Sequence, residues 1–263
     1  IRASNGAKSI TIGNLTHAYN QAARGNGFLD EYVIDDATRA LILKYGDLCD
    51  DLHTDLHECL GHGSGQLLPG VSADAIGAYG STIEEARADL FGLYYIADAK
   101  LVELGLVPDA DAYRSQYYTY LMNGLMTQLT RIKPGHEIEE AHMRNRALVA
   151  RWTLANYPSA LSLTQRDGKT YLQVNDYELL RQAFATLLAE IQRIKSEGDF
   201  DGARSMVEQY AIHVDSVLHE EMLERYAKLG IAPYKGFLNP HMTLEQSADG
   251  TITDVRFDYK ETD

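Results

Sequence analysis

An acidic chain of 263 residues with a net charge of −14 is long enough for one large domain or two modest ones, each with a sizeable core. The negative charge argues against a nucleic-acid partner, because there is no surplus of Lys and Arg to displace counterions from phosphates. Two cysteines are too few for a disulfide framework, and no apolar run approaches the ~18–20 residues of a membrane span.

The first elements predicted along the chain are a short strand at residues 10–12 and a helix over residues 15–24, which the Gly-rich break at residues 25–27 closes. Helical spacing resumes at Asp36 and continues to about His62, as one helix or two. His53 lies in this stretch, four residues before His57 and on the same helix face, where it could offer a spurious metal contact.

The end of this stretch, HECLGH at residues 57–62, is the most informative segment of the chain. Helical zinc proteases usually carry two histidines four residues apart on one face, with a glutamate that acts on the metal-bound water. Here His57 and His62 are five apart, about 140° around an ideal helix instead of about 40°. A π-type bulge, with Gly61 at the distorted backbone, would return both imidazoles to one face. The segment therefore predicts a zinc site in which the Glu58 carboxylate acts on the metal-bound water. The alternative is two surface histidines on a polar helix end.

A second helix is predicted from Ser81 to Gly105, opened by a capping box in which Ser81 and Glu84 bond reciprocally. Glu85 and Asp89 are four residues apart on one face of this helix, with Glu84 alongside. One of these carboxylates could bind zinc while its neighbours accept hydrogen bonds from the second ring nitrogens of the ligand histidines. Taken alone, the segment favours an ordinary acidic first turn, which the helix dipole stabilises.

The rest of the chain is predicted to be helical apart from two short hairpins. Helices are predicted over residues 109–133, 137–156, 176–197 and 200–229. Hairpins are predicted over residues 161–174, around Asp167-Gly168, and over residues 237–259, around Asp249-Gly250. A set of tyrosines at helical spacing favours a core or interlobe face over a substrate-stacking surface. These are Tyr113, Tyr117, Tyr118 and Tyr120. The predicted fold class is mainly α, one helical lobe over residues 1–263 with one or two small β-hairpins.

These motifs together resemble the dipeptidyl peptidase III family of zinc aminopeptidases, which carries HExxGH and EExRAE/D motifs. HECLGH at residues 57–62 and EEARAD at residues 84–89 match the two motifs. Three further segments are similar to the family, in the same order: KSITIGN at residues 8–14, GHGSGQL at residues 61–67 and EAHMRNR at residues 140–146. Glu85 follows His57 by 28 residues, a short interval that resembles bacterial members.

The resemblance implies a role for each matching residue. His57, His62 and Glu85 would bind one zinc ion per chain, and Glu58 would be the general base that later returns a proton to the leaving amine. The acceptors of hydrogen bonds from the ligand histidines would be Glu84 and Asp89, the latter in place of the usual glutamate. His142 would stabilise the tetrahedral intermediate, and Arg146 would contact the substrate.

The implied activity is a zinc-dependent exopeptidase that releases dipeptides from the amino termini of short peptides. The family has two lobes, so the resemblance implies that this chain is the helical zinc-binding lobe and that its partner is an N-terminal lobe of the same protein. We expect a cytoplasmic protein, with an export signal upstream of this chain left open. The alternatives are a zinc endopeptidase or other aminopeptidase, and a peptide-binding lobe without turnover of its own.

Overall fold

The computed structural model describes residue 20 and residues 23–231 and 241–258, and every structural statement concerns these residues. The strand predicted at residues 10–12, the KSITIGN segment and most of the helix predicted over residues 15–24 lie outside them. None of the helices in the described ranges is long and apolar enough to cross a membrane.

The described residues form a mainly helical structure with two small sheets, which confirms the predicted fold class. The α-helices are α1 (Phe28–Tyr32), α2 (Asp36–Leu56), α3 (Gly80–Ile96), α4 (Ala99–Glu103), α5 (Tyr113–Leu125), α6 (Ala141–Asn156), α7 (Tyr177–Glu197), α8 (Phe200–Tyr210) and α9 (Ser216–Leu229). A π-helical turn covers His57–His62, and short 3₁₀ turns cover Gly77–Tyr79 and Thr127–Arg131. The strands are β1 (Leu161–Arg166), β2 (Lys169–Val174), β3 (His241–Gln246) and β4 (Ile252–Asp258).

Aspartate side chains begin several of the helices by accepting hydrogen bonds from backbone N–H groups in the first turn. Asp35 accepts from Thr38 at the start of α2, and Asp176 does the same from Leu179 at the start of α7. Each such cap is worth about 1 kcal/mol. Helix α7 ends at Gly198, whose φ of 67° is the left-handed conformation that glycine adopts without a steric penalty.

Both predicted hairpins are present. Strands β1 and β2 pair antiparallel from Leu161 opposite Val174 to Arg166 opposite Lys169. The turn residues between them, Asp167 and Gly168, both have positive φ, 51° and 74°, as a type I′ turn requires. Strands β3 and β4 pair antiparallel with a bulge after residue 245, and the ends of this predicted hairpin lie outside the described residues.

Helix α3 is the centre of the core and is in contact with α2, the π-helical turn, α6 and α7. Its residues Ile83, Ala86, Leu90 and Leu93 are fully buried. Burying an apolar side chain of this size stabilises the fold by about 1.5–3 kcal/mol. The acidic residues of α3 are therefore held on a helix whose position is fixed by packing on several sides.

The predicted capping box at Ser81 is wrong. The 3₁₀ turn Gly77–Tyr79 runs directly into α3, so Gly80 donates to the Gly77 carbonyl and no side chain caps the helix. This leaves the Glu84 carboxylate free for other partners.

Three segments that were each predicted as one helix, from the helical spacing of their apolar residues, form two separate elements in the structure. Helix α3 ends at Ile96 because Asp98 accepts a hydrogen bond from Lys100 and starts the separate α4. The segment predicted as one helix over residues 109–133 is α5 and a 3₁₀ turn, separated by Met126 with φ −131° and ψ −67°. The segment predicted over residues 200–229 is α8 and α9, because Asp215 caps the second of them.

Candidate metal centre

The predicted bulge at the end of α2 forms, and residues 57–62 make a single π-helical turn. Its geometry is fixed by α3. A Cβ on Gly61 would lie 2.6 Å from the Ala88 Cα, so only glycine allows this approach. Arg87, fully buried on α3, donates from Nη2 to the Gly61 carbonyl over 2.7 Å. Gly61 is therefore required because the π-helical turn packs closely against α3. Backbone conformation is not the reason, because the φ of Gly61 lies outside the left-handed region.

The turn brings His57 and His62 together with Glu85, as the sequence predicts. The two Nε2 atoms are 3.0 Å apart, and they lie 3.3 Å (His57) and 3.6 Å (His62) from Glu85 Oε2. Ligand bonds of about 2.1 Å in a tetrahedral zinc site separate neighbouring donor atoms by about 3.4 Å. The three atoms thus have the spacing of one face of a zinc coordination tetrahedron.

Glu85 Oε2 is buried and makes no hydrogen bond within the described part of the chain. Burial alone would raise the pKa of Glu85, but His57, with the charges of His142 and His62, outweighs it and holds the pKa below 4.5. A buried anionic oxygen is costly unless a cation compensates its charge. The residues present therefore fit a divalent metal ion.

The outer nitrogen of each imidazole is held by a carboxylate of α3. His57 Nδ1 lies 2.6 Å from Asp89 Oδ1, and His62 Nδ1 lies 2.8 Å from Glu84 Oε1. Because a carboxylate only accepts, each Nδ1 carries the proton of its hydrogen bond, and each Nε2 can present a lone pair to a metal. Despite its short side chain, Asp89 comes within hydrogen-bond distance of its histidine.

Burial would raise the pKa of Glu84, but hydrogen bonds from Arg87, Lys195 and His62 lower it to about 2. Burial lowers the pKa of His57, yet its contacts with Asp89 and Glu85 raise it to about 10.

Two cations that the sequence analysis missed fix Glu84. Arg87 donates from Nε and Nη2 to its two oxygens over 3.0 and 2.9 Å, and Lys195, from α7, forms an ion pair with it. Arg87 could have been found, because it lies three residues after Glu84 within the EEARAD motif. Nothing in the local pattern identifies Lys195, which the packing of α7 against α3 brings to the site.

Asp89 has two further partners. The Tyr120 hydroxyl donates to Asp89 Oδ2 over 2.8 Å, and His53 Nε2 lies 3.2 Å from Asp89 Oδ1. Burial and the Asp89 charge raise the pKa of Tyr120 well above 10, so its hydroxyl stays a donor. Burial opposes ionisation of Asp89, but His53 and His57 hold its pKa well below 3.8. The sequence analysis placed Tyr120 on a core or interlobe face and considered His53 as a possible spurious metal contact.

A second group of potential ligands, His53, His57 and Asp89, is also close enough to hold an ion. Its atoms already form hydrogen bonds with one another, since both imidazoles pair with Asp89 Oδ1. The group with Glu85 contains a buried oxygen that accepts no hydrogen bond within the described residues, so it is the stronger candidate metal centre.

His142 lies in the first turn of α6, close to Glu85. Its Nε2 is 3.5 Å from Glu85 Oε2, and its side chain is 55% exposed. Glu140, which the sequence analysis did not single out, accepts from the His142 backbone and lies 2.6 Å from its Nδ1. One carboxylate therefore caps α6 and orients the imidazole with Nε2 towards Glu85.

Glu58 and Arg146 lie near the centre, and their predicted roles stay predictions. Glu58 is half-buried in the π-helical turn beside His57, and no hydrogen bond or ion pair engages its carboxylate within the described ranges. Arg146 lies one helical turn after His142 on α6, where its charge acts on the buried Tyr120.

Comparison with known proteins gives one family. The model of peptidase family M49 matches residues 1–76 and 71–259. Dipeptidyl peptidase 3 of Homo sapiens and that of Mus musculus are each 26% identical over 261 residues, covering 82% of this chain and 34% of the relative. The chain thus spans about a third of the length of these relatives.

Two solved structures share the fold. DPP III from Caldithrix abyssi has a TM-score of 0.66 at 23% identity, over 88% of this chain and 41% of that one. Dipeptidyl-peptidase III from Corallococcus sp. strain EGB has a TM-score of 0.64 at 21% identity, over 85% of this chain and 38% of that one. The match of the family model along most of the sequence identifies the chain as a member of peptidase family M49.

Proposed function

We propose that this chain is the zinc-binding lobe of a peptidase that releases dipeptides from the amino termini of short peptides. The observation that carries the proposal is the buried Glu85 Oε2, which accepts no hydrogen bond within the described residues and lies 3.3 and 3.6 Å from the Nε2 atoms of two histidines. Membership of peptidase family M49 and similarity to proteins named dipeptidyl peptidase 3 support the same activity.

His57, His62 and Glu85 would hold one zinc ion per chain, because two imidazoles and a carboxylate form a common ligand set of catalytic zinc. When bound, the zinc would lower the pKa of water to about 7 and polarise a peptide carbonyl. Asp89 and Glu84 contribute by holding the two imidazoles in the tautomer that leaves Nε2 free, as their distances to Nδ1 indicate.

Glu58 is assigned the proton transfers. Its carboxylate would accept a proton from the attacking water and pass it to the nitrogen of the leaving peptide as the C–N bond breaks. Such general acid–base assistance typically contributes about 10²–10⁴-fold in rate. The absence of a competing hydrogen bond or ion pair within the described residues keeps this carboxylate available.

His142 and Arg146 are assigned to the substrate. With Nδ1 held by Glu140, His142 would offer Nε2 to the oxygen that becomes negative as water adds to the carbonyl. Arg146, four residues further along α6, would contact the peptide on the same side.

Removal of two residues at a time rests on the similarity to dipeptidyl peptidases 3, and we propose that a second, N-terminal lobe of the protein holds the free amino terminus of the peptide. A zinc endopeptidase or another aminopeptidase is the alternative. The two are separated by a pair of chromogenic substrates that differ only in amino-terminal acetylation. The proposed activity requires loss of turnover on acetylation, and cleavage of the blocked substrate would refute it.

The metal site is tested by elemental analysis of the purified chain after dialysis against zinc. We expect about one zinc per chain, little in Glu85→Ala, and full occupancy in the control Glu103→Ala, which removes an exposed carboxylate of α4. A folded wild-type chain that takes up no zinc would refute the site. Full occupancy in Glu85→Ala would place the third ligand elsewhere.

A further inference from the structure

We propose that His53 is a positioning residue of the metal centre, which orients the Asp89 carboxylate so that His57 presents Nε2 to the metal. This inference rests on the proposed zinc site. His53 belongs to α2, one helical turn before His57, and its Nε2 lies 3.2 Å from Asp89 Oδ1. It matches none of the motif positions on which the family resemblance depends.

The Asp89 carboxylate is held by hydrogen bonds from three elements. Oδ1 accepts from His57 Nδ1 (2.6 Å) and His53 Nε2 (3.2 Å), and Oδ2 accepts from the Tyr120 hydroxyl (2.8 Å). Asp89, His53 and Tyr120 are each only 6% exposed, so bulk water cannot take the place of a missing donor. The direction of Oδ1 therefore depends on the donors that flank it.

The other ring nitrogen of His53 makes no interaction with the described residues that would require a histidine at this position. Its Nδ1 is buried and has no hydrogen-bond partner among the described residues. A Cβ on Gly92 would lie 3.0 Å from both Cε1 and Nδ1, so α3 closes over this edge of the ring. An unpaired buried nitrogen is unfavourable, and an apolar residue would fill the space without it. The hydrogen bond from Nε2 is the interaction that a histidine provides here.

Without the His53 donor, Asp89 keeps the pull of Tyr120 on Oδ2 and loses one of the two donors that hold Oδ1. The carboxylate can then rotate towards Tyr120, and the hydrogen bond that orients His57 weakens. Groups that orient a metal ligand typically change metal affinity by about 10–100-fold when they are removed. Because His53 acts through Asp89, we expect the lower end of this range, about tenfold.

The test is the zinc dissociation constant of the 263-residue chain, measured by competition with a chromogenic chelator. His53→Gln keeps an N–H close to the position of Nε2, whereas His53→Asn keeps an amide that falls short of Asp89, and His53→Leu removes the donor. We expect His53→Gln to bind zinc within about threefold of wild type, and His53→Asn and His53→Leu to bind about tenfold more weakly. The visible spectrum of the cobalt-loaded chain should change in the Asn and Leu variants and stay as in wild type in the Gln variant.

His219→Leu is the matched control. His219 is also buried and also uses Nε2, which lies 3.0 Å from the Ile132 carbonyl, but it belongs to α9. Its removal should lower the melting temperature of the metal-free chain and leave zinc affinity as in wild type.

Equal zinc affinity in all three His53 variants, or equal loss in the Gln and Leu variants, would overturn the inference. Failure of all three to fold would assign His53 to folding and overturn it as well. A wild-type chain that binds no zinc would instead refute the proposed function. If His53→Leu alone does not fold, the comparison of Gln with Asn decides.

Discussion

The close approach of the π-helical turn to α3 makes Gly61→Ala a sharp test of how the metal centre is built. The added Cβ would lie 2.6 Å from the Ala88 Cα and 2.7 Å from its Cβ, well inside ordinary contact. Both atoms are fixed by the backbone of α3, so the turn and the helix must move apart. Overpacking of this kind costs about 1–3 kcal/mol. The Arg87 hydrogen bond to the Gly61 carbonyl would be strained by the same movement.

Gly46→Ala, in the helix α2 that leads into the π-helical turn, is expected to stabilise the chain instead. A Cβ there would meet only Ile42 Cγ2, at 3.4 Å, and Gly46 lies inside α2. Replacing glycine by alanine in a helix interior stabilises by about 0.5–1 kcal/mol when there is room. We therefore expect the two variants to differ in free energy of unfolding by about 1.5–4 kcal/mol, with opposite signs relative to wild type.

The assay is urea denaturation of the metal-free chain, followed by zinc titration of each variant that folds. Gly61→Ala should unfold at lower urea concentration and bind zinc more weakly, because His62 follows Gly61 directly. Gly46→Ala should unfold at higher urea concentration and bind zinc as wild type does. A Gly61→Ala chain with wild-type stability and zinc affinity would refute the reasoning that packing against α3 sets the turn.

Two further predictions concern catalysis and pH. Glu58→Gln should keep about one zinc per chain and lower the turnover of the active protein by about 10²–10⁴-fold. Normal turnover in this variant would exclude Glu58 from the mechanism. The alternative, a peptide-binding lobe without turnover, predicts no activity even with Glu58 intact. Burial alone would raise the pKa of Glu31, but hydrogen bonds and charges from Lys169 and Arg225 outweigh this and hold the pKa below 4.5. The ionised carboxylate therefore contributes to stability above pH ~4.5, and this contribution is lost as the pH falls through the lowered pKa. Urea denaturation should show Glu31→Gln about 1–3 kcal/mol less stable than wild type at pH 7, with the difference shrinking towards pH 3; a difference independent of pH would contradict the assignment.

The sequence was sufficient to predict features that depend on local spacing. The five-residue separation of His57 and His62 predicted the π-helical turn, and Asp167-Gly168 predicted the first hairpin. Glu85 and Asp89 could be placed on one helix face, although the residues alone left open which carboxylate faces the histidines. The structure resolves this point, because Asp89 meets Nδ1 of His57 while Glu85 meets Nε2.

Features set by competition or by distant packing could not be predicted in this way. Asp98 and Asp215 interrupt helical patterns because their side chains bond the next helix, which apolar periodicity does not register. Ser81 fits a capping box, but the preceding 3₁₀ turn already occupies the start of the helix. Lys195 reaches Glu84 from 111 residues away, through the packing of α7 on α3.

One helix supplies both a proposed metal ligand and the carboxylates that orient the other two proposed ligands. Glu84 and Glu85 are adjacent on α3 and Asp89 is one turn further, so Glu85 faces the Nε2 atoms while its neighbours take the two Nδ1 atoms. The orienting carboxylates are in turn held by residues of other helices, Asp89 by α2 and α5 and Glu84 by α7. The spacing of the donor atoms is therefore set by how these helices pack on α3. This is why substitutions outside the proposed ligands, such as Gly61→Ala and His53→Leu, are expected to change the affinity of the chain for zinc.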